Sequence, residues 1–292
     1  MNDPRKTLRY SWLLLASAAI WGAAFVVMKD TLAVVPTNWI LTIRFAVAGL
    51  GLTFALSGAR ISVELIRRGA VLGFLLYAAY AVQTWGLIYT TASKNALITS
   101  IYVVLVPFFV WWIQRRRVGP RVLLAAGMAF GGLVVLSPPE ASGVNPGDFL
   151  TLVSGFGYAL HITMVGVYSE DHEVMPLTCL QFLFAALFAG VGAFGFETFP
   201  ERIGAGTWLG LAYLAFGSTL LALTLMNLGI RHVTPARASI LLATEAIFGC
   251  LFGVLFQGDP LTVPILAGGG ILTLAVILSQ TEGPAQPVPS PG

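Results

Sequence analysis

Two ionisable side chains of opposite charge, Arg44 and Glu245, lie well inside apolar stretches of the sequence. Charged groups in a membrane-spanning helix are costly and commonly mark the path of a substrate or an ion. Arg44 lies about seven residues into its stretch, roughly 10 Å at the helical rise per residue. It is a candidate for binding a substrate carboxylate or an acidic partner. The alternative is that its long side chain extends to the outer surface or donates to loop carbonyls.

Glu245 lies near the middle of a later apolar stretch. Burial disfavours the charged form of a carboxyl, which suits a residue that exchanges protons or binds a cation. The alternative is a protonated or hydrogen-bonded carboxyl with a structural role. A buried pair between Arg44 and Glu245 is a third interpretation, because no other acid or base lies so deep inside an apolar stretch.

His161 follows Ser154 and Tyr158 at spacings of four and three residues. These spacings place the three side chains on one face of a helix. A histidine inside a membrane helix can relay protons, but it more often makes a structural hydrogen bond. Both roles stay open for His161.

Further aromatic, amide and hydroxyl side chains follow helical spacing in the other apolar stretches. Aromatic rings can cover the apolar part of a small amphipathic solute while polar tips orient the rest. The alternative for any single ring is ordinary packing. Besides Arg44, Tyr158 and His161, the candidates for contact with such a solute are Trp21, Tyr77, Tyr80, Gln83, Thr84, Asn95, Thr99, Tyr102 and Gln181.

The composition excludes an ordinary soluble domain. Apolar residues make up 57% of the 292 residues and charged residues only 10%, whereas soluble chains carry about 25% charge. The mean hydropathy of +0.84 agrees with a polytopic helical membrane protein. The net charge of +3 is better explained by membrane orientation than by a nucleic-acid partner. Cys179 and Cys250 both lie in apolar stretches and are expected to be reduced.

The elements that must position these residues are membrane-spanning helices, each of which needs about 20 apolar residues. We expect an all-α polytopic membrane protein with ten transmembrane helices. The predicted spans are 10–28, 38–57, 69–89, 94–113, 120–137, 148–168, 175–196, 206–229, 235–256 and 261–279. Small residues in the fifth and tenth spans predict close helix contacts there. These residues are Gly127, Gly131, Gly268, Gly269 and Gly270.

The sequence of the first half of the chain resembles that of the second half. A shift of 137 positions places Arg44 on Gln181, and a shift of 142 places Ser93 on Pro235. The loop 137–148, rich in proline and glycine, separates the two units. Because five spans is an odd number, the second unit must enter the membrane inverted, which places a substrate site between the halves near the midplane. We therefore expect five-helix repeats at 10–137 and 148–279 and a disordered cytoplasmic tail at 280–292.

Basic residues are distributed unevenly between the predicted loops. If the N-terminus is cytoplasmic, the outer side receives only Lys29, Lys94 and Arg202, while most arginines fall inside. Positive charge accumulates on the cytoplasmic side of membrane proteins. We therefore expect a multi-pass protein of the bacterial inner membrane with both termini in the cytoplasm.

Signatures of enzymes are absent from the sequence. His172-Glu173 is not followed by the second histidine of a zinc-binding helix, and there is no phosphate-binding loop or nucleophile-elbow serine. We expect no catalytic residue, no metal and no cofactor.

Several short segments follow one another in a characteristic order across residues 10–279. They are Trp21-Gly22, Arg44-Phe45, Gly86-Leu87, Tyr89-Thr90-Thr91-Ala92-Ser93, Asn95-Ala96, Pro107, Thr244-Glu245-Ala246 and Gly258-Asp259-Pro260-Leu261. In this order they resemble the drug/metabolite transporter superfamily, specifically its EamA-like family. The resemblance implies ten helices in two inverted halves, around a central cavity built from the first four helices of each half. It also implies transport of amino acids, other metabolites or drugs, usually outward and often with proton exchange.

The sequence departs from that family at two places. Glu245-Ala246 stands where members often have Glu-Pro, and Gly258-Asp259 stands where members often have Gly-Glu. Because a proline next to the glutamate would favour a hinge, its loss weakens the expectation of a hinge in the ninth span.

Together these features favour a secondary active exporter of amino acids or related small metabolites, working by alternating access, with protons as the candidate coupling ion. Glu245 and His161 are the candidates for proton coupling. The alternative is a drug or organic-cation exporter of the same fold, because an aromatic cavity with one acid favours cations. An intramembrane enzyme or passive channel is a third alternative. The expected partners are a small-molecule substrate and the lipid bilayer, and the expected state is a monomer or homodimer.

Overall fold

The computed structural model describes residues 4–136, 145–252, 254–255, 261–281 and 286–287. The described chain is almost entirely helical. The described residues do not include 137–144, which make up most of the predicted central loop 137–148. They also leave out most of the predicted tail 280–292. Gly258-Asp259-Pro260 also lies outside them.

The first half of the chain contains six helices. They are α1 (Pro4–Leu32), α2 (Thr37–Gly51), α3 (Val63–Tyr89), α4 (Ala92–Thr99), α5 (Tyr102–Gln114) and α6 (Pro120–Leu136). A 3₁₀ turn at Thr53–Leu56 follows α2. Ser62 begins α3 as its N-cap, where its hydroxyl accepts a hydrogen bond from Leu65 N.

The second half begins at a capping box. Asn145 accepts a hydrogen bond from Asp148 N, and the Asp148 carboxylate accepts one from Asn145 N. The helices that follow are α7 (Pro146–Asp171), α8 (Val174–Phe196), α9 (Ala205–Ala212), a π-helical segment (Tyr213–Leu221), α10 (Ala222–His232), α11 (Pro235–Leu242), α12 (Glu245–Phe252) and α13 (Val263–Gln280). Two-residue strands at Arg116–Arg117 and Gln286–Pro287 pair antiparallel.

Eight helices of the described chain are long and apolar enough to cross a membrane, when α4–α5, α9–α10 and α11–α12 are each taken as one. The two remaining predicted spans correspond to α2, with 15 residues, and α6, with 17. The membrane character predicted from composition agrees with these helices. The count of ten spans stays a prediction.

Packing between the halves is reciprocal. The pair α4–α5 packs on α7, and the pair α11–α12 packs on α1. In the same way α3 lies along α7, while α9, the π-helical segment and α10 lie along α1. Helices α2 and α8 pack against each other, as do α6 and α13.

Close backbone contact between α6 and α13 is made by a different pair of glycines from those predicted. A Cβ added to Gly132 would lie 2.9 Å from Gly268 O, and one added to Gly268 would lie 2.7 Å from Gly132 O. Of the predicted glycines, only Gly268 is in this contact. Within the described chain, a Cβ would meet open space at each of the others, which are Gly127, Gly131, Gly269 and Gly270.

Two spans are interrupted at matching places. Helix α4 ends at Thr99 and α5 begins at Tyr102, while α11 ends at Leu242 and α12 begins at Glu245. Each interruption is a tightened turn, with hydrogen bonds of 3.1 Å from Ile101 N to Ile98 O and of 3.2 Å from Thr244 N to Leu241 O. Both interruptions face the centre of the protein, where they help to form the site.

Candidate functional site

A cavity lies between the two halves, lined from one side by α1 to α5 and from the other by α7, the π-helical segment and α10 to α12. Its non-protein space is about 700 Å³, part of which is continuous with solvent. All the site residues predicted from the sequence line it, except Tyr77 and Gln181. Apolar side chains complete the wall: Ala24, Phe25, Met28, Leu76, Leu87, Ile162, Leu223, Met226 and Leu242.

Arg44 forms the cationic side of this cavity. The residue is only 1% exposed. Its Nε donates to Thr219 Oγ1 at 2.9 Å and its Nη2 donates to Ser218 Oγ at 3.2 Å. The guanidinium lies 4.7 Å from the ring centroid of Tyr80, a cation–π distance. Because a guanidinium has five N–H donors, donors remain for a ligand.

The π-helical segment positions the hydroxyls that hold Arg44. Thr219 Oγ1 donates to Leu214 O, five residues back, at 2.7 Å. Ser218 O accepts a hydrogen bond of 2.9 Å from Trp21 Nε1, which ties α1 to the same segment. Such wide turns are rare and often occur at functional sites.

Glu245 forms the acidic side of the cavity and is 5% exposed. Its Oε1 accepts hydrogen bonds from Tyr102 Oη at 3.1 Å and from Ser100 Oγ at 3.5 Å. Both donors belong to the α4–α5 interruption, and Glu245 begins α12. One carboxyl therefore joins the two interrupted spans.

The buried pair considered between Arg44 and Glu245 is not among the ion pairs of the described residues. Arg44 is held by hydroxyls and Glu245 by a phenol and a hydroxyl. The Arg44 guanidinium lies over the Tyr80 ring, and Tyr80 packs against Tyr158. The cavity thus presents a cation and an acid that are held by different partners.

A chain of hydrogen bonds fixes the wall between the two charges. Tyr158 Oη donates to Gln83 Oε1 at 2.7 Å, and Gln83 Nε2 donates to Thr99 Oγ1 at 2.9 Å. Tyr80 and Tyr158 pack edge to face with centroids 5.2 Å apart. The orientation of both rings is therefore set before any ligand binds.

Asn95 brings an unused acceptor to the cavity. Its Nδ2 donates to Thr151 Oγ1 at 2.8 Å and to Gln83 O at 3.2 Å. Its Oδ1 is buried and has no hydrogen-bond partner within the described chain. A buried carbonyl oxygen without a donor costs free energy, so a ligand that donates to Oδ1 would recover it.

His161, Gln181 and Tyr77 differ in their access to the cavity. His161 lines it and its Nε2 lies 3.1 Å from Gln181 Oε1, so Gln181 sits behind the wall. Tyr77 is directed away, and its hydroxyl donates to Asn38 Oδ1 at 3.0 Å. Gln181 can act on a ligand only through His161, because it does not reach the cavity.

The sequence reasoning missed Ser218, Thr219 and Ser100. Ser218 and Thr219 are adjacent hydroxyl residues in an otherwise apolar stretch. That local polarity was a usable signal, since polar side chains inside a span need a partner. No cluster of three or more metal-ligating side chains occurs within the part of the chain described by the structure.

Comparison with known proteins agrees with this architecture. The model of the EamA-like transporter family matches residues 8–137 and again residues 145–281. An uncharacterized transporter of Archaeoglobus fulgidus is 31% identical over 265 residues, covering 89% of this chain and 82% of the relative. The uncharacterized inner membrane transporter YedA of Escherichia coli K12 is 25% identical, covering 98% of this chain and 96% of its own.

A crystal structure of another protein has the same fold. It superposes with a TM-score of 0.78 at 16% sequence identity, covering 93% of this chain and 96% of that chain.

Proposed function

Since the chain belongs to the EamA-like transporter family and is a membrane transporter, we propose that it exports amino acids or closely related zwitterions by secondary active transport. One observation carries the proposal. A buried guanidinium and a buried carboxyl face the same cavity, and each is held by hydroxyl groups instead of by the other. Burying charges without a partner is costly, so a ligand with both charges would offset that cost.

An amino acid fits this charge pattern. Its carboxylate would accept from the unused N–H groups of Arg44, because guanidinium groups bind carboxylates with good geometry. Its ammonium would donate to Glu245 and to Asn95 Oδ1, the acceptor that is otherwise unsatisfied in the described chain. Its side chain would lie against Trp21, Tyr80 and the apolar wall.

The proposed architecture is ten spans in two inverted five-helix repeats, at 10–137 and 148–279, with a tail at 280–292. Three observations support it: the family model matches twice, packing between the halves is reciprocal, and the interruptions lie at matching positions. We propose further that both termini are cytoplasmic in an inner membrane. Alternating access would rock one half against the other around the cavity.

Proton coupling is assigned to Glu245, with His161 as the second candidate. Glu245 touches both interrupted spans, so a change in its charge acts on the elements that can move against each other. Tyr102 and Ser100 both donate hydrogen bonds to Glu245 Oε1. An ammonium and a proton would compete for the same carboxyl. Glu245 would therefore carry either the substrate outward or a proton inward, but never both at once.

An organic-cation exporter remains the alternative function of the same fold. Glu245 and the tyrosine rings would suit a cation. Arg44 argues against it, because the guanidinium lines the same cavity and would repel such a substrate.

The experiment is a thermal-unfolding screen of the purified protein. An amino acid is compared with its carboxamide, which lacks the carboxylate, and with its N-acetyl derivative, which lacks the ammonium. We expect the zwitterion alone to raise the melting temperature, because only a ligand that binds the folded state does so. Proteoliposomes with labelled amino acids and a pH gradient then test transport. Equal stabilisation by the carboxamide would overturn the zwitterion site.

A further inference from the structure

A second cavity lies beside the central one, between α1, α4, α6 and α12. Its non-protein space is about 570 Å³, counting space continuous with solvent. Two residues, Phe25 and Glu245, line both cavities. We call this second space the side cavity. Phe25 and Glu245 therefore lie at the boundary between the two spaces.

The side cavity exists because small residues leave room around Glu245. Ala92, Ala96 and Ala246 contribute to its wall. Gly22 and Gly249 allow α1 and α12 to approach, since a Cβ on Gly22 would lie 2.8 Å from Gly249 N. The remaining described wall is mainly aliphatic.

The two cavities differ in charge. Arg44 lines the central cavity but not the side cavity, and the described wall of the side cavity holds no basic residue. Glu245 is its one charged group within that described wall. A zwitterion would find no partner there for its carboxylate, and an apolar monocation would find both an acid and an apolar surface.

We propose that the side cavity is a binding site for apolar monoamines, which place the ammonium on Glu245 and the hydrocarbon tail between α1, α4 and α12. Such amines need neither Arg44 nor the central cavity. They block amino-acid binding because both ligands use the same carboxyl. This block rests on the proposed function, whereas the site itself requires only Glu245 and the side cavity.

Cys250 offers a direct measurement. It is partly exposed and lines the side cavity, whereas the other cysteine, Cys179, is buried beneath α2. The probe is octylamine, with octanol and octanoate as ligands of matched length. The readout is the rate at which N-ethylmaleimide labels Cys250, followed by mass spectrometry of its peptide, with Cys179 as the internal reference.

Octylamine is expected to slow the labelling of Cys250 by about tenfold when its concentration is about ten times its dissociation constant. Octanol and octanoate are expected to leave the rate unchanged, and Glu245→Gln to abolish the protection. Ala96→Leu narrows the side cavity at its wall and should abolish the protection too, while the response to an amino acid is retained. Ala16→Leu, on the exposed face of α1, is the matched control and should keep the protection.

Protection by octanol equal to that by octylamine would overturn the proposal, as would full protection in Ala96→Leu. Should Glu245→Gln fail to fold, Ala96→Leu still decides the outcome. Octylamine protection without any amino-acid binding would leave the side cavity standing and refute the zwitterion exporter. Amino-acid binding without octylamine protection would refute the amine site in the side cavity and leave the zwitterion exporter standing.

Discussion

Tyr102 and Glu245 each begin the second segment of an interrupted span, and the Tyr102 hydroxyl donates to Glu245 Oε1 at 3.1 Å. The tightened turns at Ser100 and Ala243 precede them by two residues in each case. The hydrogen bond therefore joins two interrupted spans that belong to different halves of the chain. A change in the charge of Glu245 would therefore act at a contact between the two halves.

Removing the Tyr102 hydroxyl should weaken this link without creating a large cavity. For Tyr102→Phe we expect the free energy of unfolding to fall by about 1 kcal/mol, the usual value of one hydrogen bond. We also expect proton-driven flux to fall more than exchange without a gradient. The measurements are thermal unfolding and proteoliposome flux. Tyr89→Phe, at an exposed position, is the control, and an equal loss there would contradict the assignment.

Replacing Arg44 should separate binding from stability. Because Arg44 is buried without a carboxylate partner in the described chain, Arg44→Gln should leave the melting temperature of the unliganded protein unchanged or raise it. Its affinity for a carboxylate ligand should fall by about 10- to 100-fold, matching a charged hydrogen bond of about 1.5–3 kcal/mol. Unchanged affinity, measured by calorimetry, would show that Arg44 serves structure alone.

Replacing Glu245 should uncouple transport from protons. With Glu245→Gln we expect uphill flux driven by a pH gradient to be lost, because the amide cannot exchange a proton. The matched control is Glu170→Gln, whose partner Arg116 lies at an exposed ion pair. Gradient-driven flux that survives in Glu245→Gln would move the coupling role to His161 or remove it.

A partly buried ion pair joins the starts of α4 and α7. Lys94 Nζ lies 2.6 Å from Asp148 Oδ2, and Thr90 Oγ1 donates to Asp148 Oδ1 at 3.0 Å. Asp148→Asn should destabilise the protein by about 3 kcal/mol, because it leaves a desolvated ammonium without its carboxylate. Asp171→Asn, in the exposed pair with Arg68, should cost less than about 1 kcal/mol. Similar losses in chemical denaturation would refute this ranking.

Neighbouring glycines of α6 should respond oppositely to the same change. Gly132→Ala places a methyl group 2.9 Å from Gly268 O and should cost about 1–3 kcal/mol through overpacking. Gly131→Ala meets open space in the described chain and should be neutral or stabilising, since alanine favours helix. Thermal unfolding of the two variants in one detergent makes the comparison. The order of their melting temperatures is the test.

Much of the helical frame follows from apolar length and from proline and glycine positions. The predicted span 69–89 ends at the same residue as α3, and the predicted span 120–137 begins at the same residue as α6. Helical spacing also identified most of the cavity wall. It could not separate Tyr77 from Tyr80, because spacing defines a face but not the direction in which that face is turned.

Other features leave little trace in a single sequence. The tightened turns at Ser100 and Ala243 carry no proline or glycine, and their backbones stay in the right-handed helical region. The contact glycines of α6 and α13 depend on how the two helices are rotated against each other. Gly132 and Gly131 are adjacent and chemically identical, so only packing distinguishes them.

The wide turns at Tyr213–Leu221 bear on how the two halves should be aligned. Under the proposed repeat, the numbering offset between equivalent residues is 137 before this segment, as at Gly73 and Gly210, and 142 after it, as at Ser93 and Pro235. Hydrogen bonds that span five residues use more chain for each turn than ordinary helical bonds. Part of the additional length of the second repeat therefore lies within a membrane-spanning helix instead of in a loop. Alignments that permit gaps only between helices will pair the wrong residues across this span.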